Sequence, residues 1–302
     1  MNPPARNDAS AAYTERIIDE VCYALGVGRS GPWRKLLGPF LRLPAGRFGR
    51  IAARADSGVR DGGISGGSRL ILPDVNMTVS ARKAELIPAD GPLLVVSNHP
   101  GGLDSIAILS CLPRKDTSVL ISDVPFTRTF VVAREHFIFV PLRTGGRGPA
   151  LRASIDHLGK GGSLLLFPHG DVEPDPEVGP GASEALQKWS RSIEIMLRAV
   201  PACRLQVTVA SGALLPRFSR SLLVRIRKSP VRRQKLAEVF QLCQQTVFPR
   251  SVRTHVHISF APPVLSSELA RGEVMPAVLK IAHGLLEDHL AALATPAQGN
   301  DL

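Results

Sequence analysis

Residues 93–113 read LLVVSNHPGGLDSIAILSCLP, and this stretch decides the fold. The apolar run at 93–96 predicts a buried strand, the Pro-Gly-Gly sequence at 100–102 predicts a turn, and the apolar positions between Ser105 and Pro113 predict a helix. Short apolar runs and helical patterns continue to alternate along the rest of the chain. We therefore expect an α/β fold with a mostly parallel central sheet flanked by helices.

The other predicted elements follow from the same patterns. Predicted strands are MTVSARKAEL (77–86), SVLISD (118–123), HFIFVPL (136–142), SLLLFP (163–168), RLQVTVA (204–210), LLVRIR (222–227) and VHISFA (256–261). Predicted helices cover 13–27, about 125–134, 148–159, 183–199 and the C-terminal 274–294.

A histidine and an aspartate stand in the turn of the first unit. His99 follows the strand, and Asp104, which also suits a helix N-cap, lies five positions later. A carboxylate bonded to one ring nitrogen fixes the tautomer and leaves the other nitrogen free to take a proton. The spacing alone is weak evidence, because His283 and Asp288 repeat it within a helical pattern. We predict a catalytic pair at His99 and Asp104 because α/β proteins place sites at strand carboxyl ends.

The composition is that of one main globular domain with an N-terminal appendage. The chain has 302 residues, of which 44% are hydrophobic and 21% charged. A Gly/Ser-rich segment at 56–68 predicts a hinge, so we divide the chain into an N-terminal helical segment, 1–65, and an α/β domain, 66–302. The four cysteines have neither disulfide nor metal-site spacing and predict reduced thiols in a cytosolic setting.

The N-terminal segment mixes basic and apolar residues. Residues 29–54 hold seven arginines and lysines and no acid, interleaved with Trp, Phe and Leu. Such a segment suits a membrane interface, where apolar groups sink toward the acyl chains and guanidinium groups stay at the phosphates. Pro32, Pro39 and Pro44 predict a broken or re-entrant element instead of one long helix. With neither a transmembrane run nor a secretory leader in view, we expect peripheral attachment on the cytoplasmic face of a membrane.

Positive charge is a feature of the whole chain, which has a formal charge of +11 and a pI near 10.2. A second basic stretch without acids runs from Arg217 to Lys235 and includes SLLVRIRK, which alternates like a strand. These charges favour membrane lipids, an anionic membrane surface or the phosphates of an acyl carrier, and a plain solvated surface is the alternative. Nucleic acid is not expected, since aromatic residues make up only 5% and base stacking requires them.

Two further predicted strands end in polar residues and glycines. HFIFVPLRTGGRG ends its apolar run at Arg143 and continues to Arg147, and arginines beside glycines suit an anion. SLLLFPHGDVEPDP ends at Phe167 and then presents His169, Asp171 and other polar groups. We expect all three strand ends to converge on one crevice.

In these positions the chain resembles the glycerolipid acyltransferase superfamily, the lysophosphatidate and glycerol-3-phosphate acyltransferases. The resemblance covers about residues 75–265. Asn98-His99 through Asp104 matches the family's Asn-His-x-x-x-x-Asp block. The later blocks correspond to FIFVPLR at 137–143, FPHG at 167–170 and the strand at 207–209.

The resemblance implies a lipid O-acyltransferase with acyl-CoA or acyl carrier protein as co-substrate and no cofactor or metal. His99 is then the general base, Asp104 orients it, and amides near Gly101 or Gly170 serve the oxyanion. The predicted substrate-binding residues are Asn98, Gly101, Gly102, Arg143, Arg147, Phe167, Pro168, His169, Gly170 and Asp171.

The third block departs from the family's Phe-Pro-Glu-Gly-Thr-Arg. His169, Asp171 and Val172 replace its Glu, Thr and Arg. Without that arginine, binding of a glycerol phosphate acceptor requires Arg143 or Arg147 in its place. A lysophospholipid, an aminolipid or another hydroxylated lipid is the open alternative for the acceptor.

Two other functions stay open on the sequence. One is a lipid-binding protein of the same fold that has lost transfer activity, because the third block is altered. The other is a metal-dependent hydrolase in which His99, Asp104, His169 and Asp171 hold one ion.

Overall fold

The computed structural model describes residues 6–24, 26, 28, 31–142, 146–225, 229–248 and 250–295. The strands are β1 (Met77–Arg82), β2 (Leu93–Ser97), β3 (Thr117–Ser122), β4 (Phe137–Val140), β5 (Ser163–Leu166), β6 (Arg204–Ser211), β7 (Thr254–Phe260) and β8 (Val264–Leu265). The α-helices are α1 (Arg6–Ala24), α2 (Pro32–Ile71), α3 (Asp104–Cys111), α4 (Pro125–Arg128), α5 (Arg147–Gly159), α6 (Ala182–Leu186), α7 (Ser192–Ala199), α8 (Pro216–Ser219), α9 (Leu222–Arg225), α10 (Pro230–Val247), α11 (Ser266–Leu269) and α12 (Val274–Ala294). Short 3-10 helices occupy Ala84–Leu86 and Ala133–His136.

The described strands form one mixed sheet in the order β1-β7-β6-β2-β5-β3-β4, with β8 beside β6. β6, β2, β5, β3 and β4 run parallel, and only the pairs of β6 with β7 and with β8 are antiparallel. Their parallel direction brings the carboxyl ends of β2, β5 and β4 to one edge of the sheet. The predicted α/β fold with a mostly parallel sheet is thus confirmed.

Both faces of the sheet are buried, which explains why the central strands are apolar throughout. In β2, Leu94 and Val96 belong to one apolar cluster, while Leu93 and Val95 belong to the other. The first cluster is completed by α5, α6, α7 and α12, and the second by α2, α3 and α10. The result is a three-layer arrangement of helices, sheet and helices.

The prediction that three prolines break the N-terminal segment is wrong. α2 begins at Pro32, where a helix has no need of the missing N–H, and it continues through Pro39 and Pro44. An interior proline removes one backbone hydrogen bond, and this cost bends a helix without ending it when tertiary packing supports it. Here α1 supplies that packing through a small apolar cluster of Ile18, Cys22 and Ala45.

The predicted hinge at 56–68 is helical, apart from one residue. Gly63 has φ 63° and ψ −173°, and it separates two helical parts of α2. A Cβ placed on Gly67 would lie 2.8 Å from the carbonyl oxygen of Ala55. In one straight helix residues twelve apart are about 18 Å distant, so the second part folds back onto the first. The glycines mark a tight turn between packed helices, and the division into 1–65 and 66–302 stays a prediction.

Three smaller predictions need correction. LLVRIR at 222–227 is predicted as a strand, but Leu222–Arg225 is a short helix, and residues 226–228 lie outside the described residues. The predicted helix over 183–199 is divided into α6 and α7, and that around 125–134 is reduced to α4 and a following 3-10 turn. Short apolar runs are ambiguous between strand and helix, and tertiary packing decides between them.

A helix that crosses a bilayer needs about 20 consecutive, predominantly apolar residues. None of the described helices combines the length and the apolar character required to cross a bilayer.

Candidate functional site

His99 and Asp104 are in direct contact, as predicted. The Nδ1 atom of His99 lies 3.0 Å from both carboxylate oxygens of Asp104. Asp104 is fully buried, while the His99 side chain is 23% exposed. The Nε2 atom of His99 has no hydrogen-bond partner among the described residues, so the ring is oriented by the carboxylate with its far nitrogen free.

The geometry of this pair is set by the strand–turn–helix unit. Asn98, next to His99, exchanges hydrogen bonds with the backbone of Ala210 in β6, at 2.9 Å and 2.8 Å. Asp104 is the first residue of α3, where an acidic group is stabilised by the helix dipole, and it accepts the N–H of Gly101 at 3.1 Å. Asn98 is therefore a positioning residue that fixes the end of β2, and its amide is already occupied.

The surroundings of His99 tune its basicity. Burial lowers the pKa of His99, but the charge and hydrogen bond of Asp104, together with Glu238 and Glu173, outweigh burial and raise it above its usual value. The ring of Phe167, at the end of β5, stacks on the imidazole with centroids 4.3 Å apart. The predicted convergence of the β2 and β5 ends is thus observed at His99 and Phe167.

Glu173 is a buried carboxylate next to the pair. It follows Phe167 by six positions, and the sequence pattern predicts no role for it. Its Oε2 accepts the backbone N–H of His99 at 2.8 Å, and its Oε1 accepts the indole N–H of Trp189 at 3.1 Å. Burial raises the pKa of Glu173 to about 7, against the opposing effect of these hydrogen bonds. Glu173 holds the backbone of the turn that carries His99.

Glu238 is a second carboxylate that the sequence did not single out. It lies on α10, and its Oε2 accepts the N–H of Gly102 at 3.1 Å. Burial raises the pKa of Glu238 to about 7, while the charge of His99 opposes this rise. A lone glutamate 139 positions after His99 carries no spacing signal, so only the three-dimensional structure could find it.

The third block forms a turn beside the pair. His169 Nδ1 is 3.2 Å from the carbonyl oxygen of Asp171, and the Asp171 carboxylate pairs with Lys235 at 2.8 Å. Pro168 is buried and its carbonyl accepts the N–H of Ser190. Gly170 has φ 79°, a conformation that favours glycine. These contacts hold the turn to itself, to Ser190 and to Lys235 of α10, and Asp171 contributes to the cavity wall described below.

The prediction of oxyanion donors near Gly101 or Gly170 needs correction. The N–H of Gly101 is used by Asp104, that of Gly102 by Glu238, and that of Gly170 by the carbonyl of Phe167. None of the three glycine amides is free to serve an oxyanion without giving up a partner. The amino end of α3, which opens at the same turn, remains a source of positive potential.

The arginines of the second block are placed differently. Arg143 lies outside the described residues. Arg147 is exposed at the start of α5. It follows β4, which is separated from β2 by β5 and β3, or about 14 Å at ordinary strand spacing. It thus shares the sheet edge with His99 without a contact to the pair.

A cavity of about 1310 Å³ opens next to the turn between β2 and α3. Gly101, Gly102 and Leu103 form part of its wall, and Asp171 and Glu238 contribute polar groups there. The remaining wall is largely apolar and comes mainly from α1, α2, α3, α10 and the strands β3 and β4. The volume exceeds the roughly 300–1,000 Å³ of common small-molecule sites, and the lining suits an apolar ligand.

His283 bonds the side chains of Ser183 and Gln187 at 3.1 Å and 2.7 Å on the surface of α12, in agreement with its interpretation as a helix surface residue. In the described part of the chain, no three His, Cys, Asp or Glu side chains come close enough together to hold a metal ion.

Comparison with known proteins adds one structural likeness. Neither the protein families nor the curated proteins searched give a match. Among solved structures, the chain is similar to the 1-acyl-sn-glycerophosphate (LPA) acyltransferase PlsC from Thermotoga maritima, with 16% identity and a TM-score of 0.48. The match covers 97% of this chain and 100% of that one. At this identity the likeness concerns the course of the chain alone.

The fold and the site together define a class. This is an α/β protein with a histidine–carboxylate pair at the carboxyl end of a parallel strand, next to a large apolar cavity.

Proposed function

We propose that the protein is a lipid O-acyltransferase that moves an acyl chain from an acyl thioester to a hydroxyl of a lysophospholipid or a related lipid. The donor is acyl-CoA or acyl carrier protein. The observation that carries this proposal is the pair of 3.0 Å contacts between His99 Nδ1 and the Asp104 carboxylate, one turn away from the apolar cavity.

The chemistry follows from the orientation of the imidazole. The hydroxyl of the acceptor attacks the thioester carbonyl and gives its proton to Nε2 of His99. The C–S bond then breaks, and the leaving thiolate takes that proton from Nε2, so the ring returns to its starting state. Asp104 holds the tautomer and stabilises the imidazolium between the two steps. The reaction needs no nucleophile from the protein.

The cavity supports a lipid substrate. Its wall brings together apolar side chains of α2 and the sheet, such as Ile51, Val59 and Phe137, beside the turn that carries His99. Burying an acyl chain there removes about 0.8 kcal/mol of unfavourable hydration per CH₂ group. A chain held in this way presents its thioester beside Gly101 and Gly102, which line the cavity.

Surface chemistry supports an anionic membrane as the place of action. Trp33, Leu36, Phe40 and Leu43 recur at helical spacing on α2 and are 55–77% exposed. Lys35 and Arg42 are exposed on the same helix. Apolar side chains between basic ones suit the boundary between headgroups and acyl chains. We propose peripheral attachment at the cytoplasmic face.

Acyl transfer by purified protein tests the proposal. Radiolabelled acyl-CoA or acyl carrier protein is incubated with lysolipids in mixed micelles, and the product is separated by thin-layer chromatography. His99→Ala should lower the rate by about 10²- to 10⁴-fold, because a general base contributes that much. The matched control is His283→Ala, which removes the histidine of the other His-x-x-x-x-Asp pair and should retain the full rate.

Two outcomes would contradict the proposal. If His99→Ala kept more than a tenth of the rate, His99 would not be the base. If wild-type protein sedimented with anionic vesicles but formed no product from any donor and acceptor pair, the protein would be a lipid binder. Metal analysis and addition of chelator separate both from a metal-dependent hydrolase, whose activity would fall with chelator.

A further inference from the structure

The Glu238 carboxylate has one oxygen to spare beside the catalytic turn. Its Oε2 accepts the N–H of Gly102 at 3.1 Å, whereas its Oε1 is buried and has no hydrogen-bond partner among the described residues. Glu238 also lines the cavity. A buried polar atom without a partner is costly, and it calls for an explanation in a folded protein.

Two other carboxylates of the cavity wall are satisfied within the protein. Asp56 accepts the hydroxyl of Tyr13 at 3.0 Å and the backbone N–H groups of residues 131–133. Asp171 is paired with Lys235 at 2.8 Å. Of these three carboxylates, Glu238 alone keeps an oxygen without a partner among the described residues, and the amide oxygen of Gln245 on the same wall is also buried and unpartnered.

Residue 101 is a glycine and leaves a space of about one methyl group beside Oε1. A Cβ built on Gly101 would lie 3.5 Å from Oε1 and 3.7 Å from the Cβ of Ala213. Both are ordinary contact distances, so a methyl group fits there without strain. The gap thus lies between α10 and the backbone two residues after His99.

We propose that Glu238 binds a hydrogen-bond donor of the acceptor lipid, an ammonium or a second hydroxyl close to the hydroxyl that is acylated. The proposal rests on the transferase function proposed above. An acceptor held by Glu238 would have its reacting hydroxyl on the His99 side of the turn.

The charges around Glu238 favour this ligand chemistry. The groups that act on it are His99, Asp104 and Lys235, together with the N–H of Gly102. Burial raises the pKa of Glu238 to about 7, so near neutral pH the ionised form accepts from an ammonium and the protonated form donates to a hydroxyl. A phosphate at the same place would face a carboxylate and be repelled.

A panel of acceptors tests the proposal on the full-length protein. 1-Dodecanol offers one hydroxyl, 1-monolauroylglycerol offers a neighbouring hydroxyl, sphinganine a neighbouring ammonium, and lysophosphatidate a neighbouring phosphate. Turnover is measured as kcat/KM with one acyl-CoA. We expect wild-type protein to favour the diol or the amino alcohol over dodecanol at least tenfold, since a hydrogen bond to a charged group is worth about that much.

Three variants separate the possibilities. Glu238→Gln keeps an accepting oxygen and should lower kcat/KM for sphinganine about tenfold or more, with a smaller effect on the diol. Glu238→Ala should lower both, and Gly101→Ala, which fills the gap, should do the same. In each variant the loss for sphinganine should exceed the loss for dodecanol, because the dodecanol rate reports the effect of the change on the turn that all acceptors share. Glu287→Gln, an exposed glutamate on α12, is the matched control for loss of one charge and should change nothing.

The outcomes that would overturn the proposal are distinct from failure of the transferase function. Equal losses for dodecanol and the other acceptors would show that Glu238 only supports Gly102. A wild-type enzyme that uses dodecanol as well as the diol and sphinganine would also overturn it. Binding of the same lipids to His99→Ala is measured by displacement of a fluorescent fatty acid, and this assay needs no turnover. If no acceptor is acylated, the subsite is still tested by binding. Sphinganine or the diol should displace the fluorescent fatty acid from His99→Ala but not from the double variant His99→Ala, Glu238→Ala.

Discussion

At the scale of single residues, the Asp104 carboxylate decides how basic His99 is. Burial alone lowers the pKa of His99, and Asp104 is the main group that raises it. Only the neutral imidazole can take a proton, so activity should be present above this pKa and be lost as pH falls through it. For wild type we expect the acidic limb of the kcat/KM profile above pH 6.5, the ordinary value.

The Asp104→Asn variant tests this prediction. The amide removes the charge that raises the pKa, so the acidic limb should move to lower pH while the plateau falls by about 10²- to 10⁴-fold. The measurement is kcat/KM between pH 5 and pH 9 with acyl-CoA saturating. An acidic limb that stays in place in Asp104→Asn would show that another group titrates.

A second residue-scale prediction concerns His289, which is buried on α12. Its two ring nitrogens lie 2.8 Å from the hydroxyls of Ser211 and Ser259, and burial lowers its pKa to about 4, with His257 and Arg82 adding to the effect. Between pH 4 and 6.5 the unfolded chain therefore binds more protons at this site, and stability rises with pH. Acidification from pH 6.5 to pH 4 should cost about 2 to 3 kcal/mol through His289.

Urea unfolding at several pH values checks this, with His289→Gln as the test variant and His283→Gln on the same helix as the control. The test variant should lose less stability on acidification than wild type, and the control should follow wild type. Glu173, Asp175 and Glu238 have raised pKa values and give the opposite slope in all three proteins. Parallel pH profiles for His289→Gln and wild type would contradict the prediction.

The residues of the site differ in how far sequence could predict them. His99 and Asp104 were predictable because their contact is local and lies within one strand–turn–helix unit. Asn98 was predicted as a substrate-binding residue, but its partner, the backbone of Ala210, is 112 positions away. Glu238 comes from 139 positions away on a helix. Contacts of this range depend on strand order and helix placement, which no spacing rule encodes.

At the scale of elements, the turn inside α2 depends on Gly63. Its φ of 63° with ψ of −173° belongs to a region that is open almost only to glycine. A Cβ there would also lie 2.3 Å from the carbonyl oxygen of Lys115. Gly63→Ala should therefore destabilise the protein by at least about 2 kcal/mol, from backbone strain and the clash together.

The neighbouring glycine is a matched control. A Cβ on Gly62 meets nothing within 4 Å, and Gly62 lies in helical backbone. Gly62→Ala should be neutral or stabilising by about 0.5–1 kcal/mol, since alanine loses less entropy in a helix. Chemical denaturation of the two variants measures the difference. Equal stabilities would mean that the second helical part does not fold back at residue 63.

Composition misled the prediction for this element because glycine has two uses. In 56–68 it was interpreted as the mark of a hinge, but Gly58 and Gly67 allow two helical parts to approach closely. A Cβ on Gly58 would lie 2.3 Å from Leu70 Cδ1. The sequence alone contains the small residues but not the partner that lies against them.

At the scale of the whole molecule, the order of strands assembles the site. β2 and β5 are neighbours, so His99 and Phe167 meet, whereas β4 lies two positions beyond β5. The sequence predicted a parallel sheet and hence a common edge for the strand ends. It could not predict their order along that edge, and this order separates Arg147 from the pair.

The exposed aromatic and basic face of α2 leads to a prediction for the whole molecule at a membrane. Phe40 is 77% and Trp33 is 60% exposed on this helix. Binding to vesicles of phosphatidylglycerol and phosphatidylcholine should bury these rings, and each basic side chain near the surface adds about 1 kcal/mol.

The double variant Trp33→Ala, Phe40→Ala should bind at least tenfold more weakly in a sedimentation assay, because a buried aromatic side chain contributes about 1.5 to 3 kcal/mol. Lys35→Gln with Arg42→Gln should weaken binding at low salt and have less effect at high salt, where screening is strong. The control is Ile195→Ala with Leu290→Ala, two exposed apolar residues on α7 and α12, and it should bind as wild type does. Equal binding by the control and the aromatic variant would show that α2 does not form the contact surface.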